Sequence, residues 1–149
     1  TFYDVYEYSV REEILNYFLM RTLDCLKDIV WQSAVTVKGY DASRVRQDAC
    51  GAWIAYADFN DCHSIFGWEI DHIYPIFKLQ QLQIPEELWD SPINLRALHW
   101  KNNRSKGDSY PMYTSAVIGY GDTNMEQCNV FLVSGPLQHS LRNLFKIKE

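Results

Sequence analysis

Asp71 and His72 stand side by side in a β-rich run, Gly67-Trp68-Glu69-Ile70-Asp71-His72-Ile73-Tyr74-Pro75. Asn94-Leu95 follows, and then a polar stretch, Lys101-Asn102-Asn103-Arg104-Ser105-Lys106-Gly107-Asp108. Phosphodiester hydrolysis needs these residue types: a base to deprotonate water, a cation to neutralise phosphate charge, and positive groups to hold the backbone. His72 is the natural base, because imidazole has an unperturbed pKa near ~6.5, close to working pH. Asp71 and Asn103 offer oxygen ligands, which suit a hard cation such as Mg²⁺. Asn102 is the neighbouring alternative for that ligand, and His99 is either a further ligand or a packed strand residue. Arg96, Lys101, Arg104 and Lys106, opposed only by Asp108, make 96–108 the one markedly positive window of the chain. These four are the expected nucleic-acid contacts. Three or four phosphate contacts would give log K against log salt a slope of roughly −3.

The elements that carry these residues are legible to different degrees. Alternation over 67–75 predicts a strand that Pro75 stops. A second strand is predicted over 93–100, followed by a short polar helix ending near Gly107. Successive strand residues point to opposite faces, so Asp71 and His72 enter one site only if the strand bends or bulges near Pro75. Residues 77–92 read as a long loop with a short helix near 85–88. Upstream, 1–8 read as an aromatic extended lead-in. Ser9-Val10-Arg11-Glu12 reads as a capping box, and Leu15, Phe18, Leu19, Leu26 and Ile29 predict a helix over 10–33. Its apolar stripe requires a partner surface: the rest of the domain, another protein, or a second copy. Residues 44–57 read as a short helix or irregular segment leading into a strand, 128–133 as a strand, and 136–147 as a terminal helix. The expected class is α+β, one domain over 1–149. It comprises a helical N-terminal extension (1–45), a core (48–108) and a C-terminal strand and helix (109–149).

Composition narrows the function classes. The chain has 149 residues, 47% hydrophobic and 15% aromatic, which excludes a disordered or low-complexity protein. Fourteen Lys and Arg against nineteen Asp and Glu give a net charge of −5. Non-specific coating of nucleic acid is therefore excluded, and any nucleic-acid site is a local patch. No apolar run approaches the ~20 residues of a membrane span, and no secretory signal is visible. Cys25, Cys50, Cys62 and Cys128 form no CxxC pair. Free thiols, a cytoplasmic location and no structural zinc are the expectation.

Trp68-Glu-Ile-Asp-His-Ile-Tyr-Pro75, Ile93-Asn-Leu-Arg-Ala-Leu98 and Asn102-Asn-Arg-Ser-Lys-Gly-Asp108, in that order, resemble the HNH endonuclease family, the ββα-metal nucleases, in its bacterial or phage type. A weaker likeness extends upstream through Asp48-Ala-Cys-Gly-Ala-Trp53. The resemblance implies a β-hairpin plus short helix that cleaves double-stranded DNA with one divalent metal, Mg²⁺ or else Mn²⁺, leaving 5′-phosphate and 3′-hydroxyl ends. It makes His72 the general base, and Asp71 and Asn103 the metal ligands. Asn94 holds the loop and helps orient the base; Lys106, with an exposed stem, lies near the phosphate. The chain departs from the family in two places. Phe77-Lys-Leu-Gln-Gln-Leu-Gln83 replaces a Lys-Gly-Gly common after the first motif. His99 and Asn102 stand where zinc-bearing members carry Cys, so packing of Trp68, Ile70, Leu95 and Leu98 is expected to hold the hairpin. The negative charge and the acidic 71–95 region motivate an alternative, a non-cleaving DNA- or protein-binding module.

Overall fold

The computed structural model describes residues 2–148 and is α+β: four helices and four small antiparallel strand pairs. Helix α1 (Phe2–Trp31) begins earlier than the sequence suggests. Residues 2–8 are helical rather than extended, and Ser9 lies inside the helix instead of capping it. No Gly or Pro interrupts this segment, and adding turns to an existing helix is far easier than starting one. The last turns of α1 dock: Val30 and Trp31 are buried beside Ile54, Trp68, Leu95 and Ala97. Further up, Ile14, Leu15, Phe18 and Leu19 are exposed.

Strands β1 (Val45–Gln47) and β2 (Trp53–Ala55) form a hairpin where a short helix or irregular segment was one expectation. Its turn closes on Asp48, whose Oδ1 accepts from the N–H groups of Cys50 and Ala52 at 2.9 Å each. Strands β3 (Trp68–His72) and β4 (Leu95–His99) pair with Asp71 opposite Arg96 and His72 opposite Leu95. Between them, helix α2 (Ile76–Gln81) occupies part of the predicted loop and buries Leu79. Helix α3 (Trp100–Lys106) leaves β4 directly and packs on both strands of that pair. Gly107 ends it with a φ of +50°, a conformation that favours glycine.

The C-terminal region holds three strands that the sequence did not announce. β5 (Met112–Thr114) pairs with β8 (Val130–Leu132), and the β6 (Val117–Tyr120) and β7 (Thr123–Glu126) hairpin lies between them in sequence. Helix α4 (Gly135–Phe145) starts at Ser134, whose hydroxyl accepts from the Leu137 N–H. It buries Leu141 and Phe145 in a second apolar cluster with Ile73, Leu79 and Leu98. Two apolar clusters thus flank β3 and β4: one against α1, one against α4. Among the described residues, no helix is long and apolar enough to cross a membrane.

Candidate active site

Asp71, His72 and Asn103 border one cleft of about 190 Å³, together with Pro75, Gly107 and Asp108. The first two come from the end of β3 and the third from α3, which packs against that strand. No bulge is needed: β3 keeps regular register through the His72–Leu95 pair. The cleft lies at the strand's last residues, so both neighbours border it. Asp71 is buried there, while the His72 side chain is 25% exposed.

Beneath the cleft is a buried charge cluster. Asp71 Oδ2 accepts from Arg96 Nε at 2.9 Å, and its Oδ1 lies 3.1 Å from Lys106 Nζ. Lys106 Nζ also donates to the His72 carbonyl at 3.1 Å. The cross-strand register sets the first contact, since directly opposed residues share a face. Two cations therefore surround one carboxylate, leaving one positive charge in excess. Burial pushes the Lys106 ammonium below its ordinary value, with Asp71 opposing. Burial is the largest influence on Arg96 and works against its charge, but Asp71 and Tyr113 together outweigh it and raise the Arg96 pKa. The Arg96 guanidinium further sits 4.8 Å from the Tyr113 ring centroid.

This arrangement corrects the expected nucleic-acid contacts. Arg96 is 8% exposed and Lys106 1%, so neither presents a free cation at the surface. The basic window combines a buried pair with a surface pair. At the surface, Arg104 lies 3.8 Å from Glu69, and Lys101 lies 3.5 Å from Glu126. The exposed stem expected of Lys106 is absent because α3 turns that residue toward Asp71.

Asn94 sits in the short 3-10 turn Pro92–Asn94 that leads into β4, and it is fully buried. Its Oδ1 accepts from the Tyr74 N–H at 2.7 Å; its Nδ2 donates to the carbonyls of Trp89 at 3.0 Å and Tyr74 at 3.2 Å. It holds the loop as expected, but it makes no hydrogen bond to the His72 ring. The ring's Nε2 instead meets Asp90 Oδ1 at 2.6 Å. Asp90 lies in the acidic 71–95 region, and no motif marks it.

His99 and Asn102 belong to a separate polar core. Asp48 Oδ2 accepts from the His99 N–H at 2.9 Å and from Asn102 Nδ2 at 3.0 Å. Asn102 Oδ1 in turn accepts from the N–H groups of Ala116 and Val117, and its Nδ2 donates to the Val117 carbonyl. The His99 ring is satisfied at both nitrogens: Nε2 donates to the Ile65 carbonyl at 2.9 Å, and Nδ1 accepts from the Lys101 N–H at 3.1 Å. Burial holds the His99 pKa below the ordinary imidazole value. Burial pushes the Asp48 carboxyl upward against its four N–H donors. Packing alone, the expectation for this hairpin, is thus supplemented by hydrogen bonds. Asn102 is committed to them, which leaves Asn103 as the carboxamide at the cleft. Comparison with known proteins finds no family model, curated protein or solved structure that matches this chain.

Proposed function

We propose that the chain is a metal-dependent endonuclease of the HNH type, hydrolysing DNA phosphodiesters, with β3, β4 and α3 as its ββα core. The observation that carries this reading is the shared cleft bordered by Asp71, His72 and Asn103. The donor set fits a hard cation. A carboxylate has about four lone-pair sites, so Asp71 retains acceptor capacity beyond its contacts to Arg96 and Lys106. The Asn103 carboxamide would add a neutral oxygen, and Mg²⁺ is commonly held by one or two carboxylates together with water and substrate phosphate. Among the described residues, no three His, Cys, Asp or Glu side chains gather as a metal-holding group, so the cation would rest on Asp71 and Asn103. A cation held by Asp71 and Asn103 would supply charge neutralisation at the scissile phosphate.

The chain's own residues do the rest. His72 accepts the proton of the attacking water. Arg96 and Lys106 place fixed positive charge beneath the cleft, where it needs no reorganisation. Lys101 and Arg104, on the outer part of α3, contact flanking phosphates. One observation favours the alternative, a non-cleaving DNA- or protein-binding module: both Asp71 oxygens are already engaged by cations. Nicking of supercoiled plasmid with Mg²⁺ or Mn²⁺, against a chelator control, separates the two. His72→Ala is expected to lose about 10²–10⁴-fold in rate while remaining folded. Cleavage by that variant at the wild-type rate removes His72 from the chemistry. A wild type inert with both metals leaves the binding module.

A further inference from the structure

We infer that Asp90 is a positioning residue that fixes the ring and tautomer of His72, with Asn94 clamping the two segments that carry them. The inference rests on the nuclease reading above. A carboxylate only accepts hydrogen bonds, so the 2.6 Å contact to Asp90 Oδ1 assigns the proton to His72 Nε2. Nδ1 then bears the lone pair, and it takes no hydrogen bond from the described residues. In the attack step, the proton of water passes to Nδ1. The resulting imidazolium keeps its Nε2–H on Asp90, whose charge opposes the positive charge formed on the ring.

The loop geometry supports this assignment. Asn94 Nδ2 holds the Trp89 carbonyl, immediately before Asp90, while Oδ1 holds the Tyr74 N–H, two residues after His72. The Asn94 carbonyl accepts from the Ile73 N–H at 2.8 Å, beside His72 itself. On either side of Asp90, the Trp89 indole N–H donates to the Ile84 carbonyl and the Ser91 hydroxyl to the Leu88 carbonyl. One buried asparagine and this anchored turn therefore determine where the carboxylate meets the ring. The Asp90 side chain is 69% exposed, and an ion pair so exposed adds little to folding. Its consequence is orientation, and its removal leaves the fold intact.

The experiment uses the full chain. Asp90→Ala removes the acceptor, while Asp90→Asn keeps an acceptor oxygen of the same shape. Asp90→Ala is expected to lower kcat for plasmid nicking by about 10–100-fold with KM unchanged, the range typical of partners that orient an imidazole through its far nitrogen. Asp90→Asn is expected to recover part of that loss. In parallel, proton NMR of histidine-labelled protein should show a downfield, slowly exchanging Nε2–H of His72 in wild type, lost in Asp90→Ala and retained in Asp90→Asn. An active wild type whose Asp90→Ala variant has unchanged kcat overturns the positioning role and leaves the nuclease. A resonance unaffected by Asp90→Ala does the same. A wild type that cleaves nothing overturns both readings.

Discussion

Lys106→Ala separates a surface phosphate contact from a buried strut. The side chain is 0% exposed, with its ammonium 3.1 Å from Asp71 and 3.1 Å from the His72 carbonyl. Truncation removes three methylenes beyond Cβ, about 2.4 kcal/mol at ~0.8 kcal/mol each, before any term for the space left behind. It also removes a hydrogen bond, but Asp71 keeps its partner Arg96, and the cost of burying the ammonium disappears. These effects oppose one another, and the expected net loss is about 2–4 kcal/mol. For a domain of this size that lowers Tm by roughly 5–15 °C. Lys106→Met preserves the length of the stem and deletes the charge. Removing one partner of a buried pair is costly when it strands the other charge, but here Asp71 keeps Arg96 as counter-ion, so this variant should lie within about 1 kcal/mol of wild type. Urea unfolding at pH 7 followed by tryptophan fluorescence measures both. An alanine variant within ~0.5 kcal/mol of wild type would refute the buried strut. A methionine variant as unstable as alanine would show that the charge, rather than the stem, is what the fold requires. The same pair matters for kinetics: only Lys106→Met tests the role of the charge in cleavage without the confounding loss of structure.

Three further outcomes follow from the same contacts. Burial depresses the His99 pKa below the unfolded value near 6.5, so its contribution to stability is present above that pH and lost as pH falls through the folded-state pKa. An NMR titration of the His99 ring should therefore give a midpoint below ~6.5, and a midpoint at or above that value contradicts the assignment. Asn94→Ala leaves the Tyr74 N–H and the Trp89 and Tyr74 carbonyls without their side-chain partner; a loss of about 2–4 kcal/mol and faster hydrogen exchange at the Tyr74 amide are expected. A Cβ at Gly67 would fall 1.8 Å from the Asp61 carbonyl oxygen, so Gly67→Ala must displace backbone. Circular dichroism melts should show a Tm drop well beyond that of Gly121→Ala, a site with open space around it but a φ of +58°.

Legibility in the sequence followed the strength of local signals. Strand β3 was readable because Trp68, Ile70 and Ile73 mark a β-rich run with Pro75 as its stop, and α4 because Leu137, Leu141 and Phe145 repeat at helical spacing. Strands β5 to β7 were not, since three or four residues such as Thr123-Asn124-Met125-Glu126 carry no period; their pairing is set by partners distant in sequence. Residue identities at the cleft were visible because motif order places Asp71, His72 and Asn103 in succession. Burial was not. Arg96 and Lys106 look like a solvated basic face until Asp71 is known to lie directly across from one and beneath the other. Asp90 was invisible for a related reason: its meeting with His72 depends on the fold of an irregular loop, which no periodicity encodes.

Buried hydrogen bonds around Asp48 hold the end of the β3–β4 pair. The resemblance sets His99 and Asn102 where zinc-bearing members of that family carry Cys, and the chain departs from those members there. Here a single buried carboxylate joins those two positions to the β1–β2 turn by four N–H donors. Asn102 then extends the link to the 116–117 backbone. A zinc centre confers its stability only when loaded and demands deprotonated ligands. The Asp48 network is built from the chain's own groups, and Asp48, His99 and Asn102 are all buried, so losing one partner strands the others. The same links hold α3 where Asn103 borders one cleft with Asp71.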